Sequence, residues 1–73
     1  MYFRCPNSGM INTMYIEFIS PVQRIDPTEE NKLENTIYAF FARTMSGYTI
    51  GFEENMEEIA DNIRRDLITA CNS

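Results

Sequence analysis

Chemistry in this 73-residue chain would have to come from carboxylates, two thiols and scattered hydroxyls, because it contains no histidine. Without an imidazole, the commonest general base, proton shuttle and metal ligand at neutral pH is missing. Ser-His-Asp and Cys-His activation of a nucleophile are therefore excluded. Ser8, Ser20, Ser46 and Ser73 have no recognisable base or orienting partner in the sequence. Gly47 and Gly51 bracket Tyr48-Thr49-Ile50 and match neither a P-loop nor a dinucleotide fingerprint. The sequence thus points to no catalytic set and no cofactor, and the expectation is a protein that is not an enzyme.

The densest charged feature is Glu53, Glu54, Glu57, Glu58 and Asp61. On a helix beginning at Glu53 or Glu54, positions 54, 57, 58 and 61 share one face, opposite Met56, Ile59 and Ile63. The pairs 53/57, 54/58 and 57/61 then repel by a few tenths of a kcal/mol each, and Asp61 with Arg65 is the favourable pair. The positive end of the helix dipole offsets part of that repulsion in the first turn. Such a ridge is more acidic than helix formation needs. It serves as a solvated helix start, as a docking ridge for a basic partner groove (in the extreme, a mimic of nucleic-acid phosphates), or as a hard-cation site.

Glu57-Glu58-Ile59-Ala60-Asp61 resembles the E-E-x-x-D segment of the MazG-type nucleotide pyrophosphohydrolases. In that family the segment supplies magnesium ligands together with a second Glu pair on a preceding helix. The resemblance implies a carboxylate-metal nucleotide hydrolase using magnesium or manganese and assembled as a dimer. The chain departs from the pattern elsewhere: Glu30 and Glu34 are four apart rather than three, and a β-hairpin stands where the family has a leading helix.

Cys5 and Cys71 lie near opposite ends. Cys5-Pro6-Asn7-Ser8-Gly9 resembles half of a zinc knuckle, with Ser8 where the second thiolate would stand. One local ligand, one distant Cys and no His cannot fill a tetrahedral zinc site from one chain. A Cys5–Cys71 bridge would close a long loop, stabilising by roughly 4 kcal/mol on chain-entropy grounds; a reducing compartment keeps such thiols free.

The composition sets bounds on everything else. Eleven Asp and Glu against six Lys and Arg give a net charge of −5. Direct nucleic-acid binding is disfavoured, since it draws on Lys and Arg at phosphates; Lys32, Arg43, Arg64 and Arg65 are also too dispersed to form a stripe. A basic protein partner fits the charge. The chain is 44% hydrophobic, with five Phe, four Tyr and five Met, which is too apolar for disorder. The length suits one domain over 1–73. There is no signal-peptide pattern, and the apolar run 37–42 is far short of the ~20 residues that span a bilayer, so a cytoplasmic location is expected and no membrane contact.

The elements that must position these residues are read as follows. Tyr2–Cys5, a turn at Pro6-Asn7-Ser8-Gly9 and Thr13–Ser20 form an N-terminal hairpin. Met14, Ile16 and Phe18 mark its core face, and Tyr15, Glu17 and Ile19 its partly wet face. Pro21 ends the second strand. Asp26-Pro27-Thr28-Glu29 is a capping-box start, and Leu33, Ile37, Phe40, Phe41 and Met45 then recur at helical spacing up to a stop at Gly47. The alternative for Thr36–Met45 and Tyr48–Phe52 is a second hairpin around Ser46-Gly47, favoured by composition and disfavoured by the lack of alternation. Tyr48–Phe52 is a third strand, and the final helix runs to Ala70 with Met56, Ile59, Ala60, Ile63, Leu67 and Ala70 inside.

The resulting expectation is an α+β fold of order β-β-α-β-α: a small antiparallel sheet, the N-terminal hairpin plus one short strand, covered on one face by two amphipathic helices. The functional expectation is a small acidic protein-binding module. By analogy of size and charge it is an inhibitor of the phage or mobile-element type, such as an anti-CRISPR or anti-restriction protein, blocking a basic nucleic-acid-binding surface. Glu53, Glu54, Glu57, Glu58 and Asp61 would meet Arg and Lys of the partner, with Tyr15, Glu17 and Tyr48 beside them. A structural homodimer through Tyr15, Glu17 and Ile19 is the further alternative.

Overall fold

A computed structural model describes residues 2–5 and 9–72. In chain order it contains β1 (Tyr2–Cys5), β2 (Gly9–Asn12), a 3-10 turn (Thr13–Tyr15), β3 (Ile16–Ile19), β4 (Gln23–Ile25), β5 (Ile37–Thr44), β6 (Thr49–Glu54) and one helix, α1 (Glu57–Cys71). β1 and β2 form a two-stranded antiparallel ribbon. The other four strands form a second antiparallel sheet with β5 in the middle. β6 pairs with residues 38–43 of β5, so β3 (facing 42–44) and β4 (facing 37–39) must share its other side, one after the other. Among the described residues, the expected pair of helices over a three-stranded sheet is therefore replaced by one helix and six strands.

The stretch expected to be the first helix is the central strand. The capping box expected at Asp26-Pro27-Thr28-Glu29 does not form, and a single turn capped by other residues stands in its place. Thr28 N–H donates to Asn31 Oδ1 at 3.0 Å and Asn31 N–H to Thr28 Oγ1 at 3.1 Å, a reciprocal cap. Lys32 N–H then reaches Thr28 O at 3.0 Å. Lys32 itself sits at φ 54°, a left-handed conformation that stops the turn. Asp26 is not a cap; its Oδ1 accepts from Thr36 Oγ1 at 2.8 Å and Arg24 Nε at 3.0 Å. From Thr36 onward, β-branched and aromatic residues suit a pleated surface. Alternation is missing because both faces of β5 are used. Phe40 and Ala42 turn toward α1 and are buried, while Phe41 meets Phe18 on the opposite face, ring centroids 5.8 Å apart.

Gly47, expected as a helix stop, closes the β5–β6 hairpin. Its N–H donates to Thr44 O at 2.9 Å, it sits at φ 87°, and Thr44 N–H donates to Tyr48 O at 2.8 Å. This is the three-residue hairpin loop with a left-handed glycine at its end.

The N-terminal hairpin forms with a nearer partner than expected. β1 pairs with Gly9–Asn12, and the turn residues Pro6, Asn7 and Ser8 lie outside the described residues. Asn12 Oδ1 accepts from Met14 N–H at 3.1 Å, which folds Thr13–Tyr15 into the 3-10 turn and sends β3 to β5. A register shift between Ile16 and Phe18 changes the side-chain phase. Ile16 packs on the core as expected, but Ile19 joins it while Met14 and Phe18 are exposed, against the face expected from strict alternation.

α1 begins at Glu57 with Met56 as a cap that makes no side-chain bond, so Glu53 and Glu54 belong to β6. Ala60, Leu67 and Ala70 are buried as expected; Met56 and Ile59 are exposed. Phe40 stacks on its cross-strand partner Phe52, centroids 4.5 Å apart and planes 6° apart, and Leu67 closes the core above them. Arg64 donates through Nε to Ser20 O at 2.8 Å and ties α1 to the β3–β4 junction.

Candidate functional site

A cleft of about 390 Å³ lies where the hairpin loop and β6 approach the N-terminal ribbon. Tyr15 and Tyr48 line it together with Ile11 of β2 and Thr49 and Gly51 of β6. Each tyrosine reaches this place for a local reason. The 3-10 turn carries Tyr15 clear of the sheet, 56% exposed, and the left-handed Gly47 swings the chain so that Tyr48 opens β6, 69% exposed. Two of the aromatic residues expected to bind a partner are thus brought to one cleft.

The acids expected to form one ridge are divided. Strand periodicity sends Glu53 and Glu54 to opposite faces of β6. Glu53, paired with Ala39, lies on the open face; Glu54, paired with Tyr38, lies on the helix side and is half-buried. Glu57, Glu58 and Asp61 stay exposed on α1. What unites the five is one path, the end of β6 and the turn into α1, rather than one helical face. Glu30 and Glu34 sit in the loop before β5, not on a helix, and among the described residues no three Asp, Glu or Cys side chains gather as a metal site. The fold therefore departs from the all-helical arrangement that the E-E-x-x-D resemblance implies.

Glu17 is not in the cleft. It accepts from Arg43 Nε at 3.2 Å, and Arg43 lies over the Phe18 ring at 5.4 Å, so it belongs to the open face of the sheet. Ile19, expected beside it on a wet face, packs against the core. Glu17 and Ile19 line a second cleft between β3 and α1, and Tyr15 lines the first, so the three expected dimer residues are not brought to one place. Cys5 and Cys71 are both free thiols in the core region, and burial pushes both pKa values up, which keeps them protonated and poorly nucleophilic.

The feature that residue-by-residue reasoning missed is the outer edge of β6. The hydrogen-bonded closing pair Thr44/Tyr48 sets the alternation along the ladder. Ile50, Phe52 and Glu54 then direct their backbone N–H and C=O groups to β5, and Thr49, Gly51 and Glu53 direct theirs outward. Phe41, opposite Gly51, fits this phase, since its N–H and C=O both turn the other way, to Ser20. Among the described residues β6 pairs only with β5. The signal available in the sequence was Thr49-Ile50-Gly51-Phe52 itself, a strand with no Pro and no Lys to blunt an edge.

No protein-family model, curated protein or solved structure matches this chain.

Proposed function

We propose that this chain is a non-enzymatic protein-binding module that recognises a basic surface on another macromolecule. The observation that carries the reading is the continuity of the Tyr15–Tyr48 cleft with the strand that ends in Glu53-Glu54 and leads to Glu57, Glu58 and Asp61. Exposed tyrosines next to a cleft are the anchor chemistry of protein interfaces, and flanking acids steer a basic partner and fix its orientation. A net charge of −5 extends that field over the whole molecule. Covering Arg and Lys that would otherwise hold phosphate makes the module an inhibitor of a nucleic-acid-handling protein, the role that small acidic phage and mobile-element proteins of the anti-CRISPR or anti-restriction type fill.

The test is affinity capture with immobilised domain at low and high salt, run beside a variant carrying Glu53→Lys, Glu57→Lys, Glu58→Lys and Asp61→Lys. The proposal expects a basic protein that is captured at low salt and lost, by about tenfold or more, in the reversed variant. Equal capture by the two forms removes the reading. Glu54 is left unchanged because it is half-buried against the helix side.

A further inference from the structure

We propose that the outer edge of β6 accepts an extended basic segment of the partner as an added antiparallel strand; this rests on the protein-binding reading above and specifies its mode. Three observations converge on that edge. Thr49, Gly51 and Glu53 present outward backbone donors and acceptors over about 13 Å, four residue steps of an extended chain. Nothing among the described residues pairs with them. The cleft that opens beside Thr49 and Gly51 has an apolar far wall at Ile11, on a strand whose own pairing is to β1 alone.

Charge selects the occupant. One end of the edge is Tyr48-Thr49, uncharged and beside the cleft; the other is Glu53-Glu54 followed by Glu57-Glu58. A second copy would bring another chain of charge −5 and the same glutamates to the contact. A basic segment meets them with opposite charge. Antiparallel pairing, the more stable kind, places the segment's N-terminal end at Glu53 and its C-terminal end at the cleft. The preferred segment therefore carries Lys or Arg first and an aromatic or β-branched residue about four positions later.

The probe is a blocked peptide, acetyl-Lys-Arg-Thr-Val-Thr-Tyr-Thr-amide, added at millimolar concentration to the intact chain while amide exchange is followed residue by residue. The expected result is at least about tenfold slower exchange at Thr49, Gly51 and Glu53. The same residues in reversed order should protect them less. Gly51→Pro should abolish the effect, because it removes an outward donor that β5 does not use. If that variant fails to fold, N-methylation of alternate peptide amides decides instead: one alternate set should abolish protection and the other leave it intact. No slowing with peptide, slowing confined to α1, or concentration-dependent protection of these amides without peptide (a second copy) each overturns the proposal. A basic partner captured equally by wild type and Gly51→Pro, yet lost on charge reversal, sinks strand addition and leaves the acid-driven reading standing. Peptide protection with unchanged capture by the charge-reversed form does the opposite.

Discussion

The two sides of β5 carry strands of opposite character. On one side β3 and β4 are short, four and three residues, shifted in register near Glu17 and split by Ser20-Pro21. The split is stitched shut: Ser20 N–H donates to Phe41 O at 2.8 Å, Phe41 N–H donates to Ser20 Oγ at 2.8 Å, and Arg64 holds Ser20 O. On the other side β6 runs six residues without interruption. A bulge, a proline and short strands are the devices by which natural sheets spoil an edge for pairing, and this chain places them on one side only. The contrast teaches that the features that spoil an edge for pairing are confined to one side, while the edge that adjoins the cleft and the acids stays regular.

The comparison is broken most drastically through the layer both sides share. Phe52→Ala removes one ring of the Phe40 stack and should cost about 3–5 kcal/mol. A domain of this size has roughly 4–11 kcal/mol in total, so denaturant melting should show both edges lost in one transition at a far lower midpoint. Ser20→Ala attacks the protected side alone. It leaves the Phe41 N–H without its acceptor inside the sheet, and a loss of about 1–3 kcal/mol is expected, with faster exchange at Phe41 and little change at Ile50. A neutral Ser20→Ala would mean that the stitch does not hold that side together.

Much of this contrast was legible in the sequence, and the reasons for the rest are specific. Pro21 as a strand end, the strand from about Tyr48 and the buried Ala60, Leu67 and Ala70 of the last helix all follow from local chemistry and are present. The first helix failed because Asp26 binds Thr36 and Arg24 instead of capping, and the one turn that Thr28 and Asn31 cap ends at Lys32. The Phe40-Phe41 pair then reads equally as a helical stripe or as a central strand with an aromatic on each face, one in the core and one meeting Phe18 on the open face. That contact depends on a bulge no periodicity announces. The acids were found by composition, but their division between β6 and α1 follows from where β6 ends.

Smaller effects sharpen the comparison. Gly51→Pro on the open edge should change stability by less than about 1 kcal/mol, since proline is tolerated where the N–H faces out. Glu17→Gln, which removes a half-exposed partner of Arg43, should cost about 0.2–1 kcal/mol, less at high salt. The last effect is on the loop joining β4 to β5. The Thr36 hydroxyl, and after it the Arg24 guanidinium, hold the Asp26 carboxyl below its usual range. A depressed carboxylate contributes stability that is present above the unfolded value, roughly pH 4, and is lost as pH falls through the folded value. Acid titration of melting should thus be shallower below about pH 4 for Asp26→Asn than for the wild type.

Residue-resolved amide exchange of the free protein at low concentration tests the open edge most directly. Thr49, Gly51 and Glu53 should exchange near the rate of unprotected amides, while Ile50, Phe52 and, across the sheet, Phe41 exchange orders of magnitude more slowly. Equal protection along all of Thr49–Glu54 would contradict the account.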